Sequence, residues 1–140
     1  MQDLSARQRT LGGALEFSGF GVHSGQPSTL LMEPAPADTG YRIQRRLEDG
    51  TIVGPVAVHF ARVTRTTLCT TIDLGDSVSI ATVEHVISAL SGMGVDNVLL
   101  TVTGAECPII DGSAAAFAEG LVRVGLEIQA RSRRYIKILR

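Results

Sequence analysis

The chain has 140 residues, of which 44% are apolar and 19% charged, a globular rather than disordered balance sized for one domain. Its 13 basic and 14 acidic residues leave a net charge of −1, so electrostatics gives no reason to expect nucleic acid or an anionic membrane as a partner. At this length roughly 68–70% of the unfolded surface can be buried, enough for a real core.

The opening MQDLSARQRT lacks the apolar segment of a leader peptide, and no run approaches the ~18 apolar residues of a membrane span. TLGGALEFSG reads as one glycine-interrupted strand running into the turn GFGVHSG. STLLMEP alternates, with Leu30 and Met32 on one side and Thr29, Leu31 and Glu33 on the other. PAPADTG is a turn, YRIQRR a short edge strand, and EDG a second turn before the strand TIVGPVAVHF. TTLCTTIDL alternates as well: if Leu68 and Ile72 enter the core, Thr67, Cys69 and Thr71 face the opposite surface. Two helices follow. Val83, Val86, Ile87 and Leu90 form an apolar stripe at i, i+3, i+4 and i+7, with Gly94 as the stop and Val95 as the hydrophobic contact beyond it. DNVLLTVTG is a strand, and AECPIIDGS leads to a second helix with the stripe Phe117, Leu121 and Val124, Ser113 as N-cap and Gly125 as terminator. RRYIKILR closes the chain as an alternating strand and stops in mid-pattern, which leads us to expect a larger protein continuing past Arg140.

Strands grouped before two helices, with another strand between them, predict an α+β two-layer sandwich: a mixed or antiparallel sheet with both helices packed on one face. The basic clusters Arg42/Arg45/Arg46 and Arg131/Arg133/Arg134 read as solvated faces. Cys69 and Cys107 form no CxxC pattern, and two lone thiols without a leader point to a reducing, cytoplasmic setting.

The residues able to carry chemistry are few. Glu84 and His85 stand side by side in the first turn of the first helix, off its apolar stripe and next to the small residues Ser88, Ala89 and Gly92. The positive end of the helix dipole favours a carboxylate there and disfavours a protonated imidazole. Neutral imidazole is what a metal takes, and a nearby carboxylate is what a metal-bound water needs as proton acceptor. One His is not a site, however: a catalytic zinc takes three protein ligands, and the chain has no HExxH. A first-turn Glu that merely complements the dipole beside a solvated His is the competing reading. His23, among Gly19, Gly21 and Gly25, is either a ring held at a tight loop tip or an incidental member of a glycine-rich hairpin. His59, in VAVHF, reads as a strand residue with no special task.

Taken together, QRTL at Gln8–Leu11, GFGVHSG at Gly19–Gly25, PAPADTG at Pro34–Gly40, TTLCT at Thr66–Thr70, ATVEH at Ala81–His85, ALSGMGVDN at Ala89–Asn97 and CPIIDGSAAAF at Cys107–Phe117 resemble, in order and spacing, the N-terminal half of the UDP-3-O-acyl-N-acetylglucosamine deacetylases. The resemblance runs from about Arg9 to Arg140 and implies residues 1–8 as an N-terminal tail, 9–130 as the N-terminal α+β domain, and 131–140 as the start of a connection to a second domain. It implies a cytoplasmic zinc amidase of lipid A biosynthesis that removes the N-acetyl group of a UDP-linked, 3-O-acylated glucosamine. His85 would be a Zn2+ ligand, Glu84 the general base on the metal-bound water, His23 a residue near the substrate, and Thr67, Leu68 and Cys69 the lining of its approach. The chain departs from the family pattern at Ala116, where Pro is common, and at Thr67, where Met is common. The remaining zinc ligands (a His and an Asp one helical turn apart), a further catalytic His, a substrate-contacting Thr and most of the acyl tunnel would come from the second domain. The resemblance therefore implies half an active site, inactive alone; the alternative is a non-catalytic module that binds ligands or partners through the same fold.

Overall fold

The alternation in STLLMEP becomes the strand around which the rest is built. In the computed structural model, which describes residues 6–139, Ser28, Leu30 and Met32 are buried while the residues between them are not. Positions 1–5 and 140, and with them most of the expected N-terminal tail, lie outside the described residues. The strands in chain order are β1 (Arg7–Leu11), β2 (Leu15–Phe20), β3 (Pro27–Pro34), β4 (Tyr41–Arg46), β5 (Ile52–Ala57), β6 (Val63–Arg65), β7 (Thr71–Gly75), β8 (Val78–Ile80), β9 (Val98–Val102) and β10 (Leu126–Ser132). The helices are α1 (Glu84–Gly92) and α2 (Ala115–Val124). The fold is α+β, as expected.

Three sheets form instead of one. The main sheet is five-stranded and mixed, in the order β2-β3-β9-β4-β5, with β4 and β9 parallel. A β6-β7-β8 meander and a β1-β10 ribbon accompany it. TLGGALEFSG is therefore two strands in different sheets. The break falls at Gly12, where a Cβ would lie 2.6 Å from the Val124 carbonyl oxygen, too close for any side chain.

Registry aligns the inward side chains: Leu15 faces Met32, Leu30 faces Val102, and Met32 and Ile43 both face Leu100. These join Val83, Val86 and Leu90 of the first helical segment and Phe117 and Leu121 of α2 in a single core. Both helices thus cover the buried face of the main sheet and touch each other. The Phe117 ring meets Phe17 of β2 edge-on at 4.9 Å between centroids.

Both helices stop where the sequence places their ends, while the N-cap of α2 is Ala114 rather than Ser113. Gly94 has φ +75°, its N–H bonds Ser91 O at 3.1 Å, and Val95 N–H bonds Leu90 O at 3.0 Å, a Schellman closure. The Ser113 hydroxyl accepts from Ala115 N–H at 3.0 Å, and Gly125, at φ +72°, ends α2. Among the described residues no helix is long and apolar enough to cross a membrane.

Five local expectations fail. β4 lies inside the sheet, between β9 and β5, rather than at its edge. RRYIKILR is not a strand: Tyr135, Ile136, Ile138 and Leu139 are exposed outside regular structure, and the final strand is LEIQARS, which pairs with β1. Leu68 does not enter the core; it is 83% exposed with φ +63°, and the strand begins only at Thr71. His59 sits beyond β5 and accepts the Ala61 N–H at a 3-10 turn, 3.2 Å away. Nor is the second basic cluster simply solvated, since Arg131 pairs with Asp38 at 2.7 Å and Arg133 with Asp96 at 2.9 Å.

Candidate active site

Three loops meet at one cleft. The turn after β2 carries His23, the irregular run before β7 carries Thr67, Leu68 and Cys69, and the loop after β9 carries Glu106. Together they line a cleft of about 310 Å³, with Arg65 on its wall. Four of the six residues singled out from sequence are thus neighbours. A larger groove of about 680 Å³ shares only Ser24, Ala105 and Glu106 with the cleft and contains none of those six.

Glu84 and His85 do not line the cleft. The Glu84 carboxylate accepts the Thr70 N–H at 3.1 Å, which ties the residue after Cys69 to the entrance of α1. Glu84 is the acidic residue of the first helical turn, where the dipole favours its anion. His85 is half-buried rather than sealed in the core, and among the described residues its imidazole makes no hydrogen bond. One ring nitrogen is therefore available to a metal. Among the described residues no three His, Cys, Asp or Glu side chains converge to hold one. His85 fits as a single ligand; a catalytic zinc needs further donors from outside these residues.

The two thiols differ. Cys69 is half-buried, 3.9 Å from the Thr71 hydroxyl. Cys107 is buried, and desolvation, with Glu84 and Glu106 adding negative charge, pushes its thiol up to about 12. It stays protonated and inert.

Glu106 was missed in the sequence, although it organises the cleft. Its side chain is 3% exposed and accepts from His23 N–H at 3.2 Å, Ser24 N–H at 3.0 Å and the Thr82 hydroxyl at 2.7 Å. Burial alone would raise this carboxyl, but the hydrogen bonds from Thr82, Ser24 and His23 outweigh it and hold it below its ordinary value. A buried acid has no periodic signature. The available signal was Gly21 in the turn GFGVHSG, where a Cβ would lie 2.2 Å from the Glu106 carboxylate.

The other shared motifs build a seam instead of a site. Gln8 donates to Asp38 at 2.8 Å, Asn97 donates to Gln8 at 2.9 Å and to Gln129 at 2.7 Å, and Arg9 N–H bonds Asp96 at 2.8 Å. QRTL, PAPADTG and the end of ALSGMGVDN thus lash the β1-β10 ribbon to the main sheet.

The family model described as UDP-3-O-acyl N-acetylglycosamine deacetylase (LpxC) matches residues 8–140. The UDP-3-O-acyl-N-acetylglucosamine deacetylases of Brucella ovis and Brucella canis are each 40% identical to the chain over 138 residues, covering 98% of it and 47% of each relative. That of Brucella melitensis biotype 2 is 39% identical over the same span. The chain spans about half the length of the curated relatives it matches. With a match over nearly all of its residues, the chain belongs to the UDP-3-O-acyl N-acetylglycosamine deacetylase family.

Proposed function

We propose that this chain supplies the N-terminal half of a zinc-dependent deacetylase that removes acetate from UDP-3-O-acyl-N-acetylglucosamine in the cytoplasm, the committed step of lipid A biosynthesis. The observation that carries the reading is the Thr70 N–H bond to the Glu84 carboxylate, which makes the acid at the helix entrance continuous with the cleft holding His23, Thr67, Leu68 and Cys69. Two free thiols agree with a reducing compartment.

His85 would hold the metal as one ligand, and a second domain would supply the others. The metal, when bound, supplies a Lewis acid for the amide carbonyl and acidifies water. Glu84 accepts the proton of the water whose oxygen attacks the acetyl carbonyl carbon. The C–N bond then breaks, leaving acetate and the sugar amine, which takes up a proton. His23 and the Thr67–Cys69 segment hold the sugar nucleotide against this centre and limit the entry of bulk water.

Acetate release from UDP-3-O-acyl-N-acetylglucosamine tests the reading, using the chain alone and the chain mixed with a separately expressed C-terminal half of a Brucella relative. The chain alone is expected to be inactive and the pair active with zinc. Glu84→Gln in the pair should cost about 10²–10⁴-fold in rate with zinc retained, whereas His85→Ala should lose zinc as well. Full-speed turnover by the Glu84→Gln pair would falsify the assignment. Turnover by the chain alone would show that its own residues complete the metal site, and inactivity of the unsubstituted pair would favour a non-catalytic binding module.

A further inference from the structure

One buried carboxylate joins two cleft segments that lie far apart in sequence. Glu106 Oε1 accepts the Thr82 hydroxyl at 2.7 Å and the His23 N–H at 3.2 Å, while Oε2 accepts the Ser24 N–H at 3.0 Å. Thr82 lies two residues before Glu84 and has φ +57°, a left-handed conformation that a β-branched residue adopts only when its surroundings impose it. Backbone bonds on either side complete the restraint: Ala81 N–H to Ala105 O at 2.9 Å, and Cys107 N–H to Ala81 O at 3.0 Å. The turn around His23 has also left room for the acid. Gly21 passes it so closely that a Cβ would meet Glu106 Oε2 at 2.2 Å. Glu106 borders the cleft but is only 3% exposed, so little of it is open to a substrate. Its hydrogen-bonding capacity is spent on the two segments.

We propose that Glu106 is a positioning residue for the deacetylation assigned above, clamping the His23 loop to the Thr82 turn so that His23 and the Glu84–His85 pair approach one substrate from a fixed separation. The inference rests on that functional reading. An acid here does what a neutral side chain does less well, because an ionised acceptor binds two backbone N–H groups and a hydroxyl at once with shorter, stronger bonds. Misplacing a cleft residue by a fraction of an ångström to an ångström is enough to slow a reaction that depends on aligned groups.

The test uses the active pair and the chain together. Glu106→Gln keeps the side chain's size and one acceptor oxygen. In the pair it is expected to lower kcat/KM by about tenfold to hundredfold, with zinc content retained. A double variant with His23→Ala should lose less than the product of the two single losses, because the acid acts in part through that residue. In the chain alone, the amide proton resonances of His23 and Ser24 should move upfield in Glu106→Gln. Thr82→Val, which removes one donor without altering charge, should move the same resonances by less and lower kcat/KM in the same direction; it carries the measurement if Glu106→Gln does not fold. Losses that multiply independently in the double variant, or unmoved His23 and Ser24 amides in a folded variant, overturn the assignment. An inactive unsubstituted pair instead overturns the function proposed above, and the amide resonances then decide alone whether Glu106 holds the loop.

Discussion

At Gly21 the backbone runs against a carboxylate and a hydroxyl together: a Cβ there would lie 2.2 Å from Glu106 Oε2 and 2.3 Å from Ser24 Oγ. Neither neighbour is the free end of a flexible chain, since both are held by hydrogen bonds. Gly21→Ala should therefore destabilise the chain by about 1–3 kcal/mol, as overpacking of a fixed site does, and a urea titration measures it. A midpoint unchanged from the unsubstituted chain would mean that the Glu106 clamp is loose. At this scale the sequence was partly legible. Glu84 and His85 stood out because titratable residues in a first helical turn are easy to place, and they do lie there. Leu68 was misread, because alternation in TTLCTTIDL says nothing about the left-handed backbone that turns this side chain outward.

Elements with a strong period were legible, and those whose burial does not alternate were not. Of the stripe Val83, Val86, Ile87 and Leu90 all but Ile87 are buried, and of Phe117, Leu121 and Val124 all but Val124, both exceptions being half-buried against the core. β10 has the burial pattern of a nearly bare strand, so LEIQARS offered no period to read, whereas RRYIKILR alternates well but pairs with no strand among the described residues. β4 read as a short edge strand, yet it lies inside the sheet, and its buried Arg45 Nε shows that an arginine stem can lie along an interior strand. The joint between α2 and the sheet depends on Phe117, fully buried and edge-on to Phe17. Phe117→Ala should cost about 3–5 kcal/mol, read as a lowered urea midpoint with the slope retained. Gly120 lies against the same ring, where a Cβ would come within 2.7 Å of Phe17, so α2 has no room to slide and fill the void.

Across the whole molecule, the shared motifs divide into a cleft and a seam, which no single motif announces. Acid sensitivity is a property of this scale because several carboxylates contribute with one sign. Hydrogen bonds hold Asp38 (from Gln8, with Arg131), Asp49 (from Thr51) and Asp111 (from Ser113) below their ordinary value of 3.8. Glu106 lies below 4.5 although burial opposes the shift. Each group binds its proton more weakly folded than unfolded, so its stabilisation is complete above the unfolded value and is lost as pH falls through the lower, folded one. The urea midpoint should therefore be flat near neutrality and decline below about pH 4.5, with a smaller decline in Glu106→Gln. An identical decline in that variant would remove Glu106 from the account.

The β1-β10 ribbon sets the timing of assembly. All of the fully buried core residues are present once synthesis has passed Leu121, yet Leu11 has no ladder partner until Leu126 arrives. Until then the first strand offers a bare edge. A second copy's last strand can satisfy that edge as well as its own does, so reciprocal strand exchange is the association route this topology leaves open in crowded refolding.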